Sequence, residues 1–236
     1  MILWYNMVHI GDGCMRILLG EELLDLDEET LNYMFLDEGN ESEVFRYGDS
    51  ALKIYKPHCS KSRLGLDDVI ELSKIPTKRF LMPREVIRDA DTLEFIGYSL
   101  PFVYKYPRDI LMRIKMNDFL DELDVIHSDL ELLAQHHVDI EDVHIDNVLF
   151  NQSFFIGDPG SFEIKKEKSV GTIYRNNVYV FNQFIKNDVF PLAKLSKKKK
   201  KELDEMFDDY YFIGGQMGYD IPDKETVRQY IKRMTQ

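Results

Sequence analysis

From Tyr33 onward the apolar positions first alternate and then recur at helical spacing. Tyr33–Leu36, Glu43–Tyr47 and Ala51–Tyr55 read as strands, and Gly48-Asp49 is a tight turn that joins the last two into a hairpin. Leu64, Leu66, Val69, Ile70, Leu72 and Ile75 then return at close to helical spacing, which predicts a helix over Ser60–Lys74 stopped by Pro76. Leu81–Ile87 and Glu94–Val103 revert to strand around an Asp89-Ala90-Asp91 turn. After Tyr106-Pro107 the helical period dominates, most strongly over Asp118–His136. Asn147–Phe150 and Phe154–Gly157 form a short hairpin, and further helices are expected at Asn177–Lys186, Lys197–Phe212 and Asp223–Met234. The first 32 residues are poorly specified: apolar patches at Ile2–Tyr5 and Arg16–Leu19, and an acidic stretch, Glu21–Glu29, that reads as a short helix.

A strand-rich first third with one helix, followed by a helical remainder, predicts an α+β protein of two lobes with a cleft at their junction. The lobes are expected at 33–103 and 104–236, behind an extension over 1–32. A chain of 236 residues buries a core without staples, so the two cysteines, Cys14 and Cys59, are read as free thiols of a reducing compartment, the cytoplasm. No stretch resembles a secretory signal, and no apolar run approaches the length of a membrane span. The net charge of -12 argues against a nucleic-acid binder, since phosphate neutralisation calls for a surplus of Lys and Arg. The exception is the run Lys197–Lys201, read either as a solvated helix start behind Ser196 or as a basic tab for an acidic partner or phosphate-bearing substrate.

The chemistry-bearing stretch lies between Asp142 and Asp158. Asp142 is followed five residues later by Asn147, at the head of one apolar strand, and eleven residues after that by Asp158, at the end of another. Kinase-type phosphoryl transfer uses such a set: one Asp to orient the acceptor hydroxyl, an Asn and a second Asp to hold Mg²⁺ against phosphates. Upstream, Ala51-Leu52-Lys53-Ile54 places a lysine between apolar neighbours after a hairpin and before a helix bearing Asp68 and Glu71.

With these motifs in this order the chain resembles the protein kinase-like superfamily over about residues 33 to 190, in a compact, atypical, bacterial-type form with D-x-H-x-x-N in the catalytic loop and Asp158-Pro159-Gly160 in place of Asp-Phe-Gly. The resemblance implies a small β-rich N-lobe with one helix, a minimal helical C-lobe, and a site that takes ATP and Mg²⁺. Lys53 would contact the α and β phosphates and pair with Asp68 or Glu71; Ala51 would pack over adenine. Pro101 and Val103 would form the hinge, where Pro101 offers only a carbonyl. The glycine-rich loop is degenerate, with Gly39 and Ser42 at two of its glycine positions and Asp37 at the third. Asp142 would act on the acceptor proton, His144 would face the γ-phosphate in place of a lysine, and Asn147 and Asp158 would bind the metal. Glu141 stands where many regulated kinases carry an arginine, which argues against control by loop phosphorylation, and 18 residues without an Ala-Pro-Glu motif separate Asp158 from Asn177.

The expected activity is transfer of the γ-phosphate to a hydroxyl of protein Ser or Thr. A metabolite or antibiotic kinase is one alternative; a kinase-like module that senses nucleotide or a partner without transfer is another.

Overall fold

The computed structural model describes residues 14–57, 64–104, 116–151, 153–189, 196–198, 201–202 and 224–235. Ile2–Tyr5, Cys59, Ser60 to Arg63, and most of Lys197–Phe212 lie outside them. The protein is mixed α+β, with a curled antiparallel sheet and several helices, and it divides into two compact units. One holds the described residues up to Pro76 together with Met82–Phe102; the other holds Thr77–Leu81 and the described residues from Val103.

The first unit is built on a seven-stranded sheet in the order β2-β1-β6-β7-β5-β4-β3. Its strands are β1 (Cys14–Leu19), β2 (Glu22–Asp27), β3 (Phe35–Glu38), β4 (Ser42–Tyr47), β5 (Ser50–Tyr55), β6 (Val86–Asp89) and β7 (Phe95–Pro101). Glu22–Asp27 is therefore a strand and not part of a helix: Leu24 and Leu26 point into the core while Asp25 and Asp27 point out, a two-residue period. The helix comes after it, as α1 (Glu28–Met34), started by the Asp27 carboxylate, which accepts the Thr30 N–H. Tyr33 and Met34, expected in a strand, belong to this helix, and β3 starts at Phe35.

Residues 14–34 thus complete the sheet's apolar face. Leu31 and Met34 of α1 join Ile17, Leu19, Leu24, Leu26, Phe45, Leu52, Ile54 and Ile87 in one core cluster. Curling brings β4 to β2, where the Tyr47 hydroxyl donates to Glu22 Oε1 at 2.8 Å. Because side chains alternate along a strand, Lys53 and Tyr55 lie on the opposite face of β5 from Leu52 and Ile54. Tyr55 packs edge-on against Phe95 and Tyr98, and its hydroxyl donates to the Leu64 carbonyl ahead of α2 (Leu66–Leu72). The strand expected from Leu81 starts only at Val86; Pro83, which has no N–H, falls in the irregular approach to it.

In the second unit α3 (Met116–Gln135) packs on α4 (Val170–Phe184) and α5 (Lys224–Thr235). The expectation of Asn177–Lys186 misses the first two turns of α4, which Ser169 caps by accepting the Thr172 N–H, and a π-helical turn, Ile185–Val189, extends it. Two small ladders complete the unit: β8 (Val138–Ile140) with β11 (Phe162–Ile164), and β9 (Val148–Asn151) with β10 (Ser153–Ile156). Among the described residues no helix is long and apolar enough to cross a membrane.

Candidate functional site

The two ladders of the second unit place the Asp142–Asp158 motif. In β9–β10, Val148 stands opposite Ile156, so the residues just beyond them, Asn147 and Gly157, face each other at the open end. The Gly157 N–H donates to the Asn147 carbonyl at 2.8 Å, and Asp158 follows directly. In β8–β11, Ile140 pairs with Phe162, which brings the loop after β8, with Asp142, beside the loop before β11, with Asp158-Pro159-Gly160. The Ser161 hydroxyl donates to the Asp142 carbonyl at 3.3 Å and ties the loops together. Register alone therefore assembles Asp142, Asn147 and Asp158 from segments up to 16 residues apart.

Asp158 and His144 are held locally. Asp158 has φ +57°, the left-handed region that asparagine and aspartate tolerate better than other side chains, and its Oδ1 accepts the Gly160 N–H at 3.2 Å to start a one-turn 3-10 helix. His144 starts the corresponding turn before Asn147: its Nδ1 accepts the Asp146 N–H at 3.3 Å. In the neutral ring that arrangement leaves the proton on Nε2, the nitrogen 3.7 Å from Asp142 Oδ2. His144 is thus seated between Asp142 and Asp146.

The loop is anchored from behind by a residue that sequence reasoning noted only as part of a helix. Asn177, fully buried on α4, accepts the Ile140 N–H and donates to the Val138 carbonyl, both at 2.9 Å. A buried Asn inside a helix is the signal that marks it. A second unforeseen brace is Asp129 on α3, whose Oδ2 accepts the N–H groups of Lys78 (2.9 Å) and Arg79 (2.6 Å). That fixes the Thr77–Leu81 segment, and Leu81 in turn donates to the Ile156 carbonyl at 2.8 Å, two residues before Asp158. Burial pushes the Asp129 carboxyl above the ordinary range, against the lowering effect of the backbone N–H groups of Arg79, Lys78 and Phe80.

In the first unit, Lys53 is only 9% exposed, an uncommon setting for a lysine, with its amine 5.9 Å from the Tyr98 ring centre. Ala51 pairs with Leu100, and Pro101 ends β7 opposite Ser50. Val103 lies just beyond, where the chain passes for the second time into the other unit. Of the two carboxylates considered for Lys53, Asp68 caps its own helix, its Oδ2 accepting the Gly65 N–H at 3.1 Å. Gly97, which sequence reasoning passed over, is required where β7 crosses β5: a Cβ there would lie 2.1 Å from the Lys53 carbonyl oxygen.

The Gly39 turn is closed on itself. The Gly39 N–H donates to the Ser42 carbonyl at 2.9 Å, and the Lys56 ammonium bonds both the Glu38 carboxylate and the Gly39 carbonyl. Burial, reinforced by the charge of Glu38, pushes the Glu43 carboxyl up, with Lys56 working against it. Ser42 is buried at the head of β4. On the remaining expectations, Cys14 is an exposed free thiol, and Lys197, Lys198 and Lys201 are exposed, with Lys198 3.9 Å from Glu202.

For a metal, the fitting donors are Asn147 and Asp158, one amide and one carboxylate. Hard oxygens in that number suit Mg²⁺, which keeps waters and shares its shell with phosphate oxygens. Among the described residues no group of three or more His, Cys, Asp or Glu side chains is arranged to hold an ion unaided. Compared with models of known families and with curated proteins, the chain matches none of them.

Proposed function

We propose that the chain is an ATP- and Mg²⁺-dependent phosphotransferase of protein kinase-like build, which moves a γ-phosphoryl group to a hydroxyl, with protein Ser or Thr as the acceptor. The observation that carries this reading is the meeting of Asn147 and Asp158 at one end of β9–β10, with Asp142 tied to the same loop through Ser161. When bound, Mg²⁺ supplies neutralisation of phosphate charge. Asn147 and Asp158 would hold it, and Asp142, exposed at the loop surface, would orient the acceptor hydroxyl and take its proton. Lys53 is assigned to the α and β phosphates, where a desolvated ammonium offsets anionic charge more strongly than one in water. His144 holds the Asp142 loop in shape and places its Nε2 beside the Asp142 carboxylate.

A specific observation favours a second reading, a nucleotide-sensing module without transfer. Gly39 spends its N–H on its own turn, and the acidic side chains around it oppose phosphate. Purified chain given labelled ATP and Mg²⁺ tests both. Phosphate on the chain itself or on a generic protein supports the first reading. Turnover only with a panel of hydroxylated small molecules would move the acceptor to that class. A rise in melting temperature with Mg-ATP but no transfer to any acceptor would establish the sensing module, and no rise at millimolar Mg-ATP would sink both readings.

A further inference from the structure

The side chains on one face of the β8–β11 ribbon carry a charge problem that one central lysine relieves. Asp139 and Glu163 stand directly opposite each other, and Glu141 follows two residues after Asp139, on the same face. Three carboxylates so placed repel one another, and like charges directly opposite across a ladder destabilise it. Each strand has only three residues, too few to hold register unaided. Lys165, just beyond β11, runs diagonally over that face. Its Nζ lies 2.5 Å from Glu141 Oε1, 2.8 Å from Glu163 Oε2 and 3.3 Å from Asp139 Oδ2. Three acceptors match the three protons of an ammonium.

An isolated exposed pair would matter little, but this is a network. The Lys165 side chain is 18% exposed and that of Asp139 only 6%. Lys168 adds a second cation to Asp139 at 2.9 Å, and Asn176 an amide at 3.4 Å. Burial works against the Lys165 charge, yet hydrogen bonds to Glu141 and Glu163 and the field of Asp139 outweigh it, so the ammonium is held well above its ordinary value. Glu141 is the residue immediately before Asp142.

We propose that Lys165 is the positioning residue of the Asp142 loop: by bridging Asp139, Glu141 and Glu163 together, it fixes Glu141 and with it the start of the segment that carries Asp142, His144 and Asn147. The start of the loop is then tethered at two neighbouring residues, Glu141 by Lys165 through a side chain and Asp142 by Ser161 through its carbonyl. The tether is built from the protein's own charges. Its catalytic consequence rests on the phosphotransferase reading; its structural consequence does not.

The experiment uses the full chain with Lys165→Met, Lys165→Arg, Glu141→Gln and the double variant Lys165→Met/Glu141→Gln. Hydrogen exchange of the amides over 142–148 is read beside α3, and phosphate transfer from saturating Mg-ATP is measured in parallel. Lys165→Met is expected to speed exchange over 142–148 at least tenfold while leaving α3 unchanged, and to lower kcat at least tenfold with KM for ATP within twofold. Lys165→Arg restores both. Glu141→Gln reproduces the exchange effect, and the double variant is no worse than Lys165→Met, as two members of one interaction require. Should Lys165→Met fail to fold, Glu141→Gln carries the same test. Unchanged exchange over 142–148, or an equal rise throughout α3, overturns the proposal. A wild-type chain that transfers no phosphate removes the functional reading, and the exchange arm still decides the role of Lys165.

Discussion

The Asn177 side chain bonds both polar groups that strand β8 turns toward α4: its Oδ1 takes the Ile140 N–H and its Nδ2 gives to the Val138 carbonyl, each at 2.9 Å. Residue 177 is fully buried, so neither backbone group has water to fall back on. Asn177→Leu keeps the branched shape and strands both groups, at a cost of about 2–4 kcal/mol. Asn177→Asp keeps the acceptor for Ile140 but turns an oxygen toward the Val138 carbonyl, and it too destabilises. Urea unfolding checks both variants. A cost below about 1 kcal/mol for Asn177→Leu would show that the clamp does not hold β8.

At Gly97 the constraint is steric. A methyl group would sit 2.1 Å from the Lys53 carbonyl oxygen and 3.0 Å from the Ile54 Cα, both backbone atoms that cannot rotate aside. Gly97→Ala must therefore push β7 away from β5 at the Ile54–Gly97 pair, next to the one that carries Lys53. The expected loss is about 3 kcal/mol or more, above the usual range for overpacking by one methyl group. Thermal melting measures it, and Gly171→Ala, where nothing lies within 4 Å of the added carbon, serves as the tolerated control.

The contrast between Gly97 and its neighbours shows what the sequence could tell. Strands β4, β5, β9 and β10 and helix α3 were legible because their apolar residues keep one period over enough length, and Gly48 marks its turn by its type. Glu22–Asp27 was misread because acid-rich composition masked the alternation of Leu24 and Leu26 with Asp25 and Asp27. The start of α4 was hidden by Gly171 and the weak helix formers around it, although Ser169 is a good cap. The β9–β10 hairpin between Asn147 and Gly157 formed where its apolar residues placed it, since a hairpin needs only local register. Lys165 was invisible for the opposite reason: its bond to Glu141 spans 24 residues and exists only once three-residue strands find their register. Close approach at Gly97 likewise depends on which strand comes to lie beside β7.

Asp158 offers a test that separates charge from shape. The residue sits at φ +57° and caps the following turn, and asparagine serves both needs. Asp158→Asn should therefore melt close to the wild type while losing the anionic oxygen assigned to Mg²⁺. Magnesium-dependent transfer falls at least about a hundredfold, the scale of removing one preorganised electrostatic contact. Asp158→Ala loses the cap as well and should be less stable. Wild-type transfer rates in Asp158→Asn would mean that the metal donors have been misassigned.

Asp129 should leave a signature in the pH dependence of stability. Burial raises its carboxyl in the folded protein, so over the window that opens near pH 4, the ordinary range of Asp, the folded state binds more protons than the unfolded chain. Stability from this group is then fully present below that window and is lost as the pH rises through the raised value. Asp129→Asn removes the titration. Both Lys78 and Arg79 donate to the same oxygen, Oδ2, so a single amide oxygen can accept the two bonds. Exposed carboxylates such as Asp27 and Asp89, lowered by hydrogen bonds from Thr30 and Thr92, slope the other way and are common to both proteins. Subtracting the wild-type curve of unfolding free energy from that of Asp129→Asn between pH 4 and 7 isolates the term. The difference should rise with pH in favour of the variant; a flat or falling difference would show that the Lys78 and Arg79 bonds, not burial, govern Asp129.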